Sequence, residues 1–366
     1  MNTEFFIAKR LSFDKKGNKP VRIMSRIAVF SIAISMTVII VAVSVLSGFK
    51  IQLKEKIAGF NANLRISNLD ANYSFEPAPT MNNYEFYDSI AKLPEVKHIR
   101  QYAHKGGIIR TDSDIQGVML KGVGQDFDWS FFEQYMVSGK VFNVSDSTAS
   151  NSVIISKSLS QLLNLQTGDA FDMYFIQDPV RIRRFTVSGL FDTYFEKMDR
   201  IFILCDIRHI RRLNQWNRNQ VSGMEIMLHN PDDMDRLSET VDNIVGYTTF
   251  DDGSMLEVTS LRDDFPEIFN WLAILDMNVA IILVIMIIVA GFNMISSLLI
   301  MLLEKISMIG ILKSMGMSDL SIRKIFVYRS SMIVLKGLLY GNIVGLLLCL
   351  VQQHFGIVHL DPQSYF

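Results

Sequence analysis

The sequence predicts an α-helical membrane protein with a large α+β domain outside the membrane, between its first and second spans. Three observations predict it. Apolar runs at 27–46, 277–303 and 331–351 are each long enough to cross a hydrocarbon core about 30 Å thick. Mean hydropathy is +0.24 although 20% of the residues are charged, so apolar and polar residues must lie in separate segments. Charge is also divided by segment: residues 1–48 carry seven Lys/Arg against two Asp/Glu, 49–276 carry 23 against 32, and 277–366 carry six against three.

Segment 1–22 mixes Phe5, Phe6, Ile7, Leu11 and Phe13 with Lys9, Arg10, Lys15 and Lys16. This composition suits an amphipathic helix on the inner membrane surface or a basic leader. The first span, 23–48, has no small-x-small cleavage site after it and reads as retained. Domain 49–270 opens with strand, helix, strand at 62–67, 82–93 and 107–111. It closes in the same order at 224–229, 232–245 and 255–259, so two βαβ units predict one lobe. Between them, about 115–215, strand signals at 117–123, 152–155, 170–175, 183–190 and 201–204 predict an inserted, mainly β lobe with one helix at 156–165. A helix from 263 is expected to run directly into the second span, 271–303, whose Asn293, Ser296 and Ser297 suit helix packing.

Residues 304–317 read EKISMIGILKSMGM. The recurrence of apolar residues, with Gly310 and Gly316 as punctuation, predicts a short amphipathic helix ended by a glycine turn. Between two spans it either lies on the membrane surface against a partner or is an ordinary loop. The third span, 325–352, contains Lys336 near its basic end at Arg329, within snorkelling reach of the interface. Its Gly337, Gly341 and Gly345 stand four apart on one face, where another span or a second protomer can approach closely. The basic flanks put the N-terminus and 304–323 in the cytoplasm. The large loop and the tail 353–366 are then outside, in the periplasm if the cell is Gram-negative.

No residue pattern points to catalysis. There is no G-x-x-x-x-G-K-[ST] phosphate loop, and Lys121-Gly122-Val123-Gly124 reads as a strand entering a turn. Cys205 and Cys349 lie in different segments and read as free thiols; the six histidines lack metal-ligand spacing, so no metal is expected. Asp232-Asp233 and Asp263-Asp264 fall at predicted helix starts and are expected to cap them. Arg181, Arg183 and Arg184, with Arg208, Arg211 and Arg212, form a basic cluster within an acidic domain. It is either a solvated face with local ion pairs or a contact for an acidic partner outside the membrane.

Segment 304–317 resembles the coupling segment of FtsX-like/MacB-type ABC transporter permeases through Glu304, Lys305, Ile309, Gly310, Ile311, Leu312, Lys313, Ser314, Met315 and Gly316. The chain as a whole resembles the lipoprotein-releasing branch of that superfamily, the LolC/LolE type. This likeness rests on Phe6-Ile7-Ala8-Lys9-Arg10, Val43-Ser44-Val45-Leu46-Ser47-Gly48-Phe49 and Leu165-Gln166-Thr167-Gly168-Asp169. Phe185-Thr186-Val187-Ser188-Gly189 and Leu360-Asp361-Pro362 complete it.

The resemblance implies a periplasmic MacB-like domain with a porter-like βαβ lobe. It implies a homo- or heterodimer of permeases in the cell inner membrane, working with two copies of a separate ABC ATPase that binds ATP and Mg. It implies no cofactor in this chain, lipoprotein as cargo, a periplasmic carrier, contact with membrane lipid and no nucleic acid. ATPase coupling falls to Glu304, Lys305, Ile309, Gly310, Ile311, Leu312, Lys313 and Gly316. Two departures from the family are expected: a chain truncated before a fourth span, and only 176–182 where a long carrier-binding hairpin would stand. Peptide or toxin efflux, regulation of a cell-wall hydrolase, and a membrane-anchored sensor are the alternatives. The sensor would need a cytoplasmic signalling domain, for which 304–330 is too short.

Overall fold

The computed structural model describes residues 3–13, 19–69, 76, 78–111, 114–145, 148–246, 249–250 and 253–356. In chain order the helices and strands begin with α1 (Thr3–Phe13), α2 (Lys19–Asn61), β1 (Leu64–Asn68), β2 (Thr80–Met81), α3 (Phe86–Ala91), β3 (Val96–Arg110) and β4 (Ile115–Val123). They continue with α4 (Ser130–Gln134), β5 (Met136–Gly139), β6 (Ser152–Ser156), α5 (Lys157–Leu163), β7 (Ala170–Phe175), β8 (Arg181–Phe191), α6 (Glu196–Asp199), β9 (Phe202–Asp206) and α7 (Ile207–Asn214). The last are β10 (Gln220–Val221), β11 (Gly223–Leu228), α8 (Met234–Val245), β12 (Leu256–Ser260), α9 (Leu261–Asp264), α10 (Pro266–Glu304), α11 (Ile306–Ser314) and α12 (Asp319–Phe355). Two compact units result, one of residues 1–50 and 270–359, the other mainly of residues 51–269.

Among the described residues, three helices are long and apolar enough to cross a membrane: Ser25–Asn61 within α2, Pro266–Ile300 within α10, and Asp319–Phe355. In the first unit α1 packs on α12, with Ala8 buried and the Phe5 ring edge-on to Tyr328 at 5.9 Å.

The second unit has the expected two lobes. In one, the sheet order β12-β1-β11-β3 is antiparallel throughout, so β1-α3-β3 and β11-α8-β12 interleave as a split βαβ pair. In the other, β3, β4, β9, β6, β8 and β7 pair in turn, and β7 pairs back to Ile108 and Ile109 of β3, closing a six-stranded ring. Strand β3 belongs to both lobes. Residues 96–102 pair with β11 and 102–110 with β4, with the buried Tyr102 paired on both sides. The strand expected at 107–111 is therefore only the far part of a longer one.

Other expectations need correction. The helix from 263 does not run directly into the second span, because Pro266 lacks an N–H and restricts the residue before it. A Ser260–Asp263 capping box starts α9, the chain breaks at Phe265, and α10 begins at Pro266. At 232–233 the cap is Asn230, which accepts from the Asp232 N–H at 3.1 Å, whereas the Asp232 carboxylate pairs with Lys54 at 2.6 Å. Asp264 likewise serves Arg65, at 2.8 Å. The tail motif Leu360-Asp361-Pro362 lies outside the described residues.

The last turn of α2 is anchored in this second unit. Phe60 is buried, its ring edge-on to Phe132 at 5.4 Å and near Phe191 and Phe202. Ala62 ends the helix in the left-handed region, φ 61°, its N–H reaching the Ala58 carbonyl at 2.7 Å. Around that end lie three buried charges, Glu225 of β11 at 1% exposure, Arg100 of β3 at 2% and Lys121 of β4 at 1%. Arg100 Nε donates to Glu225 at 2.6 Å, and Lys121 Nζ donates to the other carboxylate oxygen and to the Phe60 carbonyl. Two cations share one carboxylate, and the negative end of the α2 dipole helps to balance the surplus. Burial pushes the Glu225 carboxyl up, but Lys121 and Arg100 outweigh it and hold its pKa down at about 2. Burial lowers Lys121 to about 8, against the pull of Glu225.

Because the Glu225 pKa falls from 4.5 to about 2, its pairing stabilises the fold fully above pH 4.5 and is lost as pH drops towards 2. Glu225→Gln leaves two buried cations facing a neutral amide, and urea unfolding at pH 7 should show a loss of about 3–5 kcal/mol. It should also remove this acid-linked component. An unchanged midpoint would show that the cluster does not hold the end of the helix.

Candidate functional site

The stretch singled out for coupling is a helix between two long apolar helices. Glu304 closes α10, Lys305 makes the turn, and α11 runs to Ser314. Gly316, at φ +86°, supplies a left-handed conformation that a side chain would resist, and Ser318 caps α12 by accepting from the Ser321 N–H. Helical spacing divides α11 into two faces. Met308, Ile309 and Leu312 pack towards Ile322 and Phe326 of α12. Gly310, Ile311 and Lys313 are exposed, with Lys313 paired to Asp319 at 2.9 Å. The predicted set thus separates: Ile309 and Leu312 hold α11 onto α12, while Gly310 and Ile311 face outward. Ile306 and Met315 join the outward face, Ile306 at 56%, Ile311 at 61% and Met315 at 78% exposed. The coupling set omitted these two, although Met315 stands in the family motif, and the four-residue spacing of Ile306 from Gly310 and of Met315 from Ile311 was the available signal.

Gly337, Gly341 and Gly345 are buried against α2 of the same chain. A Cβ added at Gly341 would stand 2.6 Å from Met36 Cβ and 2.7 Å from the Ala33 carbonyl; at Gly337 it would meet Ile32 at 2.7 Å, and at Gly345 Ile40 at 2.9 Å. The Thr37 hydroxyl lies 3.2 Å from the Gly341 carbonyl, and the Cys349 Sγ 3.5 Å from Ser44 Oγ. Beside this contact, α2 and α12 line a cavity of about 720 Å³, walled by Phe30, Ile34 and Met332, with Arg26, Arg329 and Lys336 also in its lining.

The basic residues of the second unit do not form one patch. Along β8, Arg181 and Arg183 alternate onto the same side as the buried Phe185, whose ring meets His209 of α7 at 5.1 Å. Arg181 donates to the Arg212 carbonyl at 3.1 Å. Arg184 points to the other side, where the register sets Asp172 opposite it. Arg181 and Arg183 therefore belong with α7, and Arg184 does not. Residues 176–180 alone join β7 to β8, leaving Ile176 and Val180 exposed at the tip.

The glycine contact is directly testable. Ser44→Cys should cross-link to native Cys349 under mild oxidation and shift the chain on a non-reducing gel. Adding Gly341→Leu should abolish the shift by forcing the helices apart. Cross-linking that survives Gly341→Leu would refute the close approach.

Comparison with known proteins finds two family matches. Residues 25–244 match the MacB-like periplasmic core domain, and residues 280–359 match the FtsX-like permease C-terminal region. The lipoprotein-releasing system transmembrane protein LolC of Xylella fastidiosa is 23% identical over 370 residues, covering 96% of this chain and 85% of that relative. LolE of Haemophilus influenzae is 23% identical over 366 residues, covering 96% and 83%. The solved periplasmic region of MacB from Actinobacillus actinomycetemcomitans matches with a TM-score of 0.36 at 12% identity, over 58% of this chain and 96% of that one.

Proposed function

We propose a function from the premise that the chain belongs to the MacB-like periplasmic core domain family and carries an FtsX-like permease region: it is the permease subunit of an ABC transporter that extracts lipoproteins from the inner membrane. The observation that carries the permease reading is the outward face of α11, where Ile306, Ile311 and Met315 are exposed between two membrane-length helices. An apolar patch of that kind on a charged-flanked cytoplasmic turn suits a protein partner. The partner is a separate ATPase subunit, which binds ATP and Mg and performs the hydrolysis. The basic flanks support a cytoplasmic N-terminus and α11, with the large domain in the periplasm.

In this mechanism, closure of two ATPase subunits pushes α11, whose inner residues Met308, Ile309 and Leu312 carry the displacement into α12. The glycine contact makes α12 and α2 move together, because neither backbone can shift far without collision. The last turn of α2, clamped by Lys121 and Phe60, delivers the movement to β3, β4 and β11. Lipoprotein as cargo is drawn from the LolC and LolE relatives. With only 176–180 between β7 and β8, the proposal includes no long carrier-binding hook.

Two measurements test the reading. Depleting the native protein should strand outer-membrane lipoproteins in the inner membrane. Normal sorting with ATPase binding intact would retain the permease and move its cargo to another class, such as peptides or toxins. Ile311→Asp with Met315→Asp should weaken ATPase binding by about tenfold or more per residue, in line with about 1.5–3 kcal/mol for each buried apolar side chain. Unfolding of the outer domain should not change. Unaltered ATPase affinity in that double variant would eliminate α11 as the contact.

A further inference from the structure

One cavity in the outer domain is unlike the rest of its surface. It holds about 560 Å³ between α7 with the turn after it and the end of β4. Its lining includes Arg208, Arg211, Arg212 and Arg218 and no Asp or Glu, within a domain segment that is acidic overall. Chance crowding of like charges is destabilising unless something opposes it. Carboxylates behind the lining oppose part of it. Asp206 binds Arg208 through two oxygens, at 2.5 and 3.0 Å. Arg211 has only neutral acceptors, Gln101 Oε1 at 2.8 Å and the Gln220 carbonyl at 3.0 Å, with Asp126 one step away on Gln101. Arg212 and Arg218 are exposed, and among the described residues neither guanidinium has a salt bridge.

The hydrogen-bond polarity points the same way. Two acceptors of the lining are already used: Gln101 Oε1 takes bonds from Asn82 and Arg211, and Asn217 Oδ1 takes the N–H groups of Asn219 and Gln220. The exposed guanidinium groups of Arg212 and Arg218 offer donors and positive charge beside the half-buried indole of Trp216. A cavity of this kind is complementary to an anion rich in acceptors that carries some organic surface. Guanidinium forks match the paired oxygens of a phosphate better than a single point charge would.

We propose that this cavity is a binding site for a phosphate-bearing ligand, held by Arg212 and Arg218 and positioned by the fixed Arg208 and Arg211. The site goes beyond the permease reading and does not depend on it. The phosphate comes either from a soluble monoester or from a lipid headgroup.

The test uses the full chain in zwitterionic nanodiscs. Calorimetry follows the binding of inorganic phosphate and glycerol 3-phosphate in one arm, and of short-chain phosphatidylglycerol in the other. Arg212→Ala and Arg218→Ala should each weaken binding about tenfold or more. As exposed substitutions, they should leave the unfolding midpoint where it was. Saturable binding of the soluble phosphates with that loss supports the first source. Binding of the lipid alone with that loss supports the second. No saturable binding in either arm, or binding that both variants retain, overturns the proposal.

Discussion

A buried cluster of unequal charge fixes the end of α2, and much of the α+β unit 51–269 depends on it. Arg100, Lys121 and Glu225 come from three neighbouring strands, so the cluster forms only if β11, β3 and β4 are in register. The same cluster binds the Phe60 carbonyl in the last turn of α2, among the carbonyls that a helix end leaves without intrahelical donors. A well-packed apolar core could be as stable, but it would not require a helix to end at this place. One carboxylate between two cations serves as a locating pin more than as a source of stability.

Strand β3 carries that precision from one lobe to the other. Its first half completes the interleaved βαβ sheet and its second half closes the ring, with Tyr102 at the changeover. A single long strand leaves no flexible joint between the two hydrogen-bond networks. Closure of the ring also removes most exposed edges from the inserted strands, which protects them against pairing with other chains.

The sequence was most informative where local chemistry decides structure. Long apolar runs marked the three spans, Gly316 marked the end of α11, and the four-residue spacing of Gly337, Gly341 and Gly345 marked a helix-packing face. Strand patterns in 51–269 anticipated both lobes. Legibility stopped where distant residues decide. Nothing near Glu225 in the sequence indicates that it is buried between Arg100 and Lys121, 125 and 104 positions away. Ring closure depends on two residue pairs between β3 and β7 that no local pattern encodes. The run Arg181, Arg183 and Arg184 looked like one patch, but strand alternation sends Arg184 to the opposite side. Arg208, Arg211 and Arg212 were singled out as basic, but helix α7 and the cavity they line with Arg218 depend on packing that no local pattern shows.

The glycine contact between α2 and α12 makes mutational tolerance unequal on its two sides. On α12, even a single methyl group at Gly337, Gly341 or Gly345 meets backbone or Cβ atoms across the seam. On α2, Ile32, Met36 and Ile40 project across a partner surface without side chains, so exchanges among aliphatic residues of similar size there require only a new rotamer. Sequence drift along this seam should therefore accumulate on α2 and be purged on α12, and descendants of this chain would be recognisable by three glycines facing a variable partner.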